Sequence, residues 1–146
     1  MRPTSPTRPR PSRSHGSCRC WRRRADGTNV VVVANLRQLS CSDTPSLEAF
    51  QPDGPFGIYI CAMVGPAGGP GEESFGFTLC TPEWFADNMK DAHVPGRHFL
   101  FVKEYDYPAL ERYVRGYCQR CMGNSWKEVA EKVGLLGSWE FENYTL

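Results

Sequence analysis

Between residues 56 and 79 large apolar side chains occupy every second position, first as Phe56, Ile58, Ile60, Ala62 and Val64, then as Phe75, Phe77 and Leu79. A period of two marks a strand with one face on a core, so two strands are predicted, joined across the glycine-rich stretch 65–71. The second strand stops at Thr81-Pro82-Glu83. There Thr81 can cap a helix, Pro82 fits its first position and Glu83 suits its positive end. Trp84 and Phe85 follow at once, which predicts a short helix to Met89 pinned by aromatic burial beside the sheet edge. Upstream, the valines at 30–33 start an earlier strand reaching Leu39. Residues 40–55 read as a loop, its turns marked by Pro45, Pro52, Asp53, Gly54 and Pro55.

Downstream, 98–105 reads as a fourth strand in which Phe99 and Phe101 oppose Leu100 and Val102. Apolar character on both faces predicts an interior strand covered by helices on at least one side. Asp106 is a cap for the next helix, with Pro108 in its first turn. Leu110, Tyr113, Val114, Tyr117, Cys118 and Cys121 recur at three and four, an amphipathic stripe. Gly123 ends that helix, and Ser125-Trp126-Lys127-Glu128 is a capping box for another, with Trp126, Val129, Ala130 and Val133 on its buried face. A final strand is expected from the alternation of Trp139, Phe141 and Asn143 with Glu140, Glu142 and Tyr144. The order gives an α+β domain: a mostly antiparallel sheet with about three helices packed on one face. Trp84, Trp126 and Trp139 are expected to be structural.

Charge divides the chain. Eight of its 17 basic residues are arginines within the first 24 positions, which contain no acidic residue. The other nine basic residues face all 16 acidic ones, so residues 25–146 carry a net charge of −7. Residues 1–29, rich in Pro, Ser and Arg, cannot bury enough surface to offset the entropy of ordering. They are expected to be a disordered tail, or the product of a misassigned start, preceding a single domain at 30–146. Seven cysteines spread over strands, helices and tail argue against a disulfide framework and for a reducing, cytoplasmic setting. No apolar run approaches the roughly 20 residues that span a bilayer, and the basic start lacks the apolar region of a signal peptide.

Several motifs with chemical associations fail on inspection. The glycine-rich stretch 65–71 would need Lys and Ser or Thr at its end to cradle a phosphate, and it leads instead to Glu72 and Glu73. A hairpin connection is the better reading. His93 and His98 have no partner at metal-ligand spacing. Cys118 and Cys121 form a CxxC, but a redox CxxC opens a helix whereas this one closes one, and zinc needs two further ligands. Both thiols are expected in the core. No catalytic, cofactor or metal residue emerges, and the chain reads as a small acidic binding domain without enzyme activity.

A succession of short motifs resembles the immunity protein 8 family of bacterial polymorphic toxin systems. These are Phe50-Gln51-Pro52-Asp53, Phe56-Gly57, Val64-Gly65-Pro66, Glu73-Ser74-Phe75-Gly76-Phe77, Cys80-Thr81-Pro82-Glu83-Trp84, Val102-Lys103-Glu104-Tyr105-Asp106, Ser125-Trp126-Lys127-Glu128-Val129-Ala130 and Trp139-Glu140-Phe141-Glu142-Asn143-Tyr144. The likeness runs from about residue 36 to 144 in matching order and leaves the arginine-rich start outside. It implies a cytoplasmic protein that binds and neutralises a cognate toxin domain, with no catalytic residues to carry over. An acidic body suits a basic partner. If Trp139 and Phe141 face the core, Glu140 and Glu142 point outward and form an acidic patch with Tyr144. Glu72 and Glu73 are the other candidates for toxin contact. Two other functions compete: a small enzyme whose site is assembled from distant residues, and a nucleic-acid adaptor using the arginine-rich start.

Overall fold

The computed structural model describes residues 31–141. The arginine-rich stretch 1–29, and Glu142 and Tyr144 at the other end, lie outside the described residues. The described part is an α+β fold. Strands β1 (Val32–Ser40), β2 (Gly57–Pro66) and β3 (Glu73–Cys80) form an antiparallel meander, followed by helix α1 (Pro82–Asn88), strand β4 (Phe99–Phe101) and helix α2 (Tyr107–Gln119). Strand β5 (Met122–Gly123), helix α3 (Trp126–Val133) and strand β6 (Ser138–Trp139) complete it.

The sheet order is β4-β3-β2-β1-β5, and β6 joins β3 antiparallel beside Phe75 and Gly76. The apolar period of two places Ile58, Ile60, Ala62 and Val64 of β2 on the same face as Phe75, Phe77 and Leu79 of β3, all buried. Helices α2 and α3 cover that face, through Leu110, Val114 and Cys118 of the first and Val129, Ala130 and Val133 of the second. Both caps form as the sequence suggests: Asp106 accepts from the Ala109 N–H at 3.2 Å and Ser125 from the Glu128 N–H at 3.2 Å. Glu128 reaches back to the Asn124 N–H (2.9 Å), one residue before the cap. Thr81, buried, accepts from the N–H groups of Trp84 and Phe56, both at 3.3 Å, and so ties the start of α1 to the entrance of β2.

Three features depart from the sequence-based expectation. The fourth strand is an edge strand of three residues, not an interior one. It pairs parallel with β3, Thr78 opposite Phe99 and Cys80 opposite Phe101, which makes the sheet mixed. Its two apolar faces are satisfied separately: Phe99 and Phe101 pack edge-on against Phe85 of α1, each with ring centroids 5.2 Å apart, while Leu100 and Val102 pack on the core. Second, Trp84 lies over Gly57, whose side-chain direction points away from α2 and α3, so α1 reaches the opposite face of the sheet. Third, β5, paired with Val32 and Val33, has no counterpart in the sequence reading, because two residues carry no period.

The 65–71 stretch is a hairpin. Arg37, at a β-bulge in β1, donates from Nη2 to the carbonyls of Pro66 (2.7 Å) and Gly69 (2.9 Å) and ties the loop between β2 and β3 to the neighbouring strand β1. A Cβ on Gly65 would stand 2.1 Å from the Gly71 carbonyl oxygen, so only glycine closes this hairpin.

Cys118 and Cys121 are buried, and the Cys121 thiol donates to the Tyr117 carbonyl at 3.3 Å. Burial, reinforced by Cys121, pushes the Cys118 thiol up to about 12 from 9.0, and burial likewise pushes Tyr105 up to about 12 from 10.0. A folded-state value above the unfolded one keeps the native proton bound where the unfolded chain has released it. Stability is therefore insensitive to these groups below pH 9 and declines as pH rises from 9 to 12. Urea midpoints measured at about pH 8 and about pH 10.5 should show this loss. A midpoint that holds or rises would contradict the buried placement.

Candidate partner-binding surface

The sheet face opposite α2 and α3 is the open one, and the register sets its composition row by row. At one end Glu140, Ser74, Met63 and Gln38 lie side by side across the strands. Next come Ser138, Gly76, Cys61 and Ser40. Toward the other end stand Phe99, Thr78 and Tyr59, then Phe101, Cys80 and Gly57. The face thus grades from a polar end bearing a carboxylate to an aromatic corner, where Trp84 and Phe85 of α1 join the rings of β4.

Tyr59 is 52% exposed and Phe101 45%. The settings of Tyr59 and of Trp84 depend on missing side chains. A Cβ on Gly76 would come within 1.8 Å of the Tyr59 hydroxyl, and one on Gly57 within 2.3 Å of the Trp84 ring. Glycine within a strand marks a close approach of this kind, and Gly57 and Gly76 alternate with apolar residues in the sequence. That signal could have revealed the corner.

The structure separates the acidic candidates. Glu140 is exposed on the open face, its Oε1 accepting from the Ser74 backbone N–H and hydroxyl, both at 2.6 Å. The neighbouring Cys61 thiol is raised by burial and then by the Glu140 carboxylate, which fits their shared face. Glu72 is exposed at the hairpin, two residues before Ser74. Glu73 points to the other side. Its Oε1 accepts from the indole N–H groups of both Trp126 and Trp139, each at 2.8 Å, at the margin of the core. Half-buried Trp139 stacks on Phe75 at 6.3 Å and 10°, whereas Phe141, expected inward, is 37% exposed and meets Trp139 edge-on. Glu142 and Tyr144, outside the described residues, are not placed.

His98 Nε2 donates to the Gly134 carbonyl at 2.9 Å, and its own carbonyl receives the Thr78 N–H, so it joins β4 to the end of α3. Its φ of 65° is the left-handed conformation that starts the strand abruptly. Among the described residues no three His, Cys, Asp or Glu side chains are grouped to hold a metal, and no helix is long and apolar enough to cross a membrane.

One helix-covered sheet face and one open face, carrying exposed rings and a carboxylate, make a domain built around a surface. The Immunity protein 8 family matches residues 34–144, and the chain belongs to that family. It is a family of immunity proteins. No curated protein and no solved structure matches the chain.

Proposed function

We propose that the chain is a bacterial immunity protein that binds and neutralises a cognate polymorphic toxin domain in the cytoplasm, without catalysis. The observation that carries this reading is the family match over residues 34–144, which spans nearly all of the described fold. Inhibition is by direct contact with a basic toxin surface. The net charge of −7 over residues 25–146 supports electrostatic steering of that encounter. Glu140 and Glu72 are the steering groups that the fold supports best, being exposed near the same end of β3. Glu142 and Tyr144 extend the patch in this proposal. Glu73 contributes through the two indoles it holds.

Co-expression with the cognate toxin domain, to be sought among the neighbouring genes, tests the reading: cells carrying the chain should survive and cells without it should not. Reversing Glu72 and Glu140 to Lys should slow association on the order of tenfold at low ionic strength, with the difference shrinking as salt is added. Glu72→Lys alone should change thermal unfolding little, since that side chain is exposed, whereas Glu140→Lys also removes the two hydrogen bonds from Ser74 and should lower the midpoint, so the rates are compared well below it. An unchanged rate at low salt would remove these two residues from the contact, and failure of the unaltered chain to protect would remove the function.

A further inference from the structure

We infer that the toxin is gripped at the aromatic corner of the open sheet face, where the rings of Tyr59, Trp84, Phe85, Phe99 and Phe101 receive arginine or lysine side chains of a basic protein surface. This deepens the immunity reading and rests on it.

The first ground is how the rings are held. Tyr59 and Trp84 lie against backbone that carries no side chain, at Gly76 and Gly57. One side of each ring is thereby pressed to the sheet, and for Tyr59, half exposed, the other is turned to solvent. A ring face carries the negative part of the aromatic quadrupole, which attracts a cation set over it. Phe99 and Phe101, stacked at 6.0 Å and 11° and braced edge-on by Phe85, lie further across the same face, with β3 between them and Tyr59. The corner is rigid before any partner arrives, so little side-chain freedom is lost on binding.

The second ground is charge. Among the described residues, the outward positions of β2, β3, β4 and β6 include no basic side chain, and Glu140 stands on the same face. The helix that brings Trp84 and Phe85 adds exposed Glu83 and Asp87. Exposed Lys90, Arg97 and Lys103 border α1 and β4, so the attraction for a cationic side chain comes from the carboxylates of Glu83, Asp87 and Glu140 and from the net charge of −7 over residues 25–146. Rigid aromatics within a polar surround are also the composition of interface hot spots.

The test uses the full chain and the toxin domain against which it protects, with the toxin's active site disabled, measured by calorimetry. Tyr59→Ala and Phe101→Ala should each weaken binding on the order of 30-fold, while Tyr59→Phe, which keeps the ring, should stay within about threefold. Tyr59→Leu keeps apolar area without a quadrupole and should lose about tenfold. Gly76→Ala, which forces the Tyr59 ring off the sheet without deleting it, should also weaken binding. Hydrogen exchange on the unaltered chain needs no variant, and toxin should protect α1 and β4. Normal affinity in both alanine variants, or protection confined to other elements, overturns the corner as the site. Full affinity in Tyr59→Leu overturns the cationic contact. Each of these leaves the immunity reading intact, whereas absence of any binding by the unaltered chain defeats that reading itself.

Discussion

Replacing Phe75 with alanine is expected to lower the stability of the domain by about 3–5 kcal/mol, the usual cost of truncating a buried aromatic ring. Phe75 is 1% exposed at the centre of β3. Its cross-strand partner on one side is Ala62, and on the other it stacks on Trp139 of β6. Alanine opposite alanine leaves nothing from β2 to move into the vacated space, and Trp139 is fixed by its own hydrogen bond. The cavity therefore stays largely open, which places the loss in the upper part of the range. Against a total of about 5–15 kcal/mol for a typical domain, much of the folded population would be lost. Urea unfolding followed by tryptophan fluorescence measures it directly. A loss below about 1 kcal/mol would mean that the ring is not enclosed as described.

The second large effect is expected at Glu73. One carboxylate oxygen receives two indole N–H groups, from a helix and from an edge strand 53 and 66 positions away. Hydrogen bonds to a charged group contribute roughly 1.5–3 kcal/mol each, and donors left unpaired when half-buried add to the loss. The two bonds share one acceptor and are not additive, so Glu73→Ala should destabilise by about 2–4 kcal/mol. Glu73→Gln, which keeps a carbonyl oxygen but loses the charge, should fall by about half as much. Both variants should shift the tryptophan near-ultraviolet dichroism. An Ala variant that unfolds at the unaltered midpoint would dismiss Glu73 as the anchor of α3 and β6.

Most of the fold was readable because long elements carry periods. The alternation of Ile58, Ile60, Ala62 and Val64, and the spacing of Leu110, Val114 and Cys118, each required a buried face and obtained one. The caps at Thr81, Asp106 and Ser125 were equally legible, because capping is local chemistry. What failed depends on which strand lies next to which. Phe99 to Val102 is apolar on both faces whether it runs inside a sheet or at its edge, and α1 packing at the edge supplied the second covering. Glu73 looked like a second carboxylate beside Glu72. Its alternation with Ser74 and Gly76 puts it on the side of Phe75 and Phe77, and that strand parity was available in the sequence. The partners at Trp126 and Trp139 were not, since only the folded chain brings them within reach of one oxygen.

The one-sided covering of the sheet has a consequence for how such a protein can change over generations. Most side chains that hold the domain together point toward α2 and α3, while on the other side only the corner under α1, with fully buried Cys80, is enclosed. Substitutions at positions such as Gln38, Ser40 or Thr78 alter what a partner meets while leaving the folded state nearly as populated as before. Recognition and foldedness can thus drift independently on the two sides of a single layer. Gly57 and Gly76 are the exceptions, bare-side positions where an added methyl group displaces a ring, and there the freedom to vary ends.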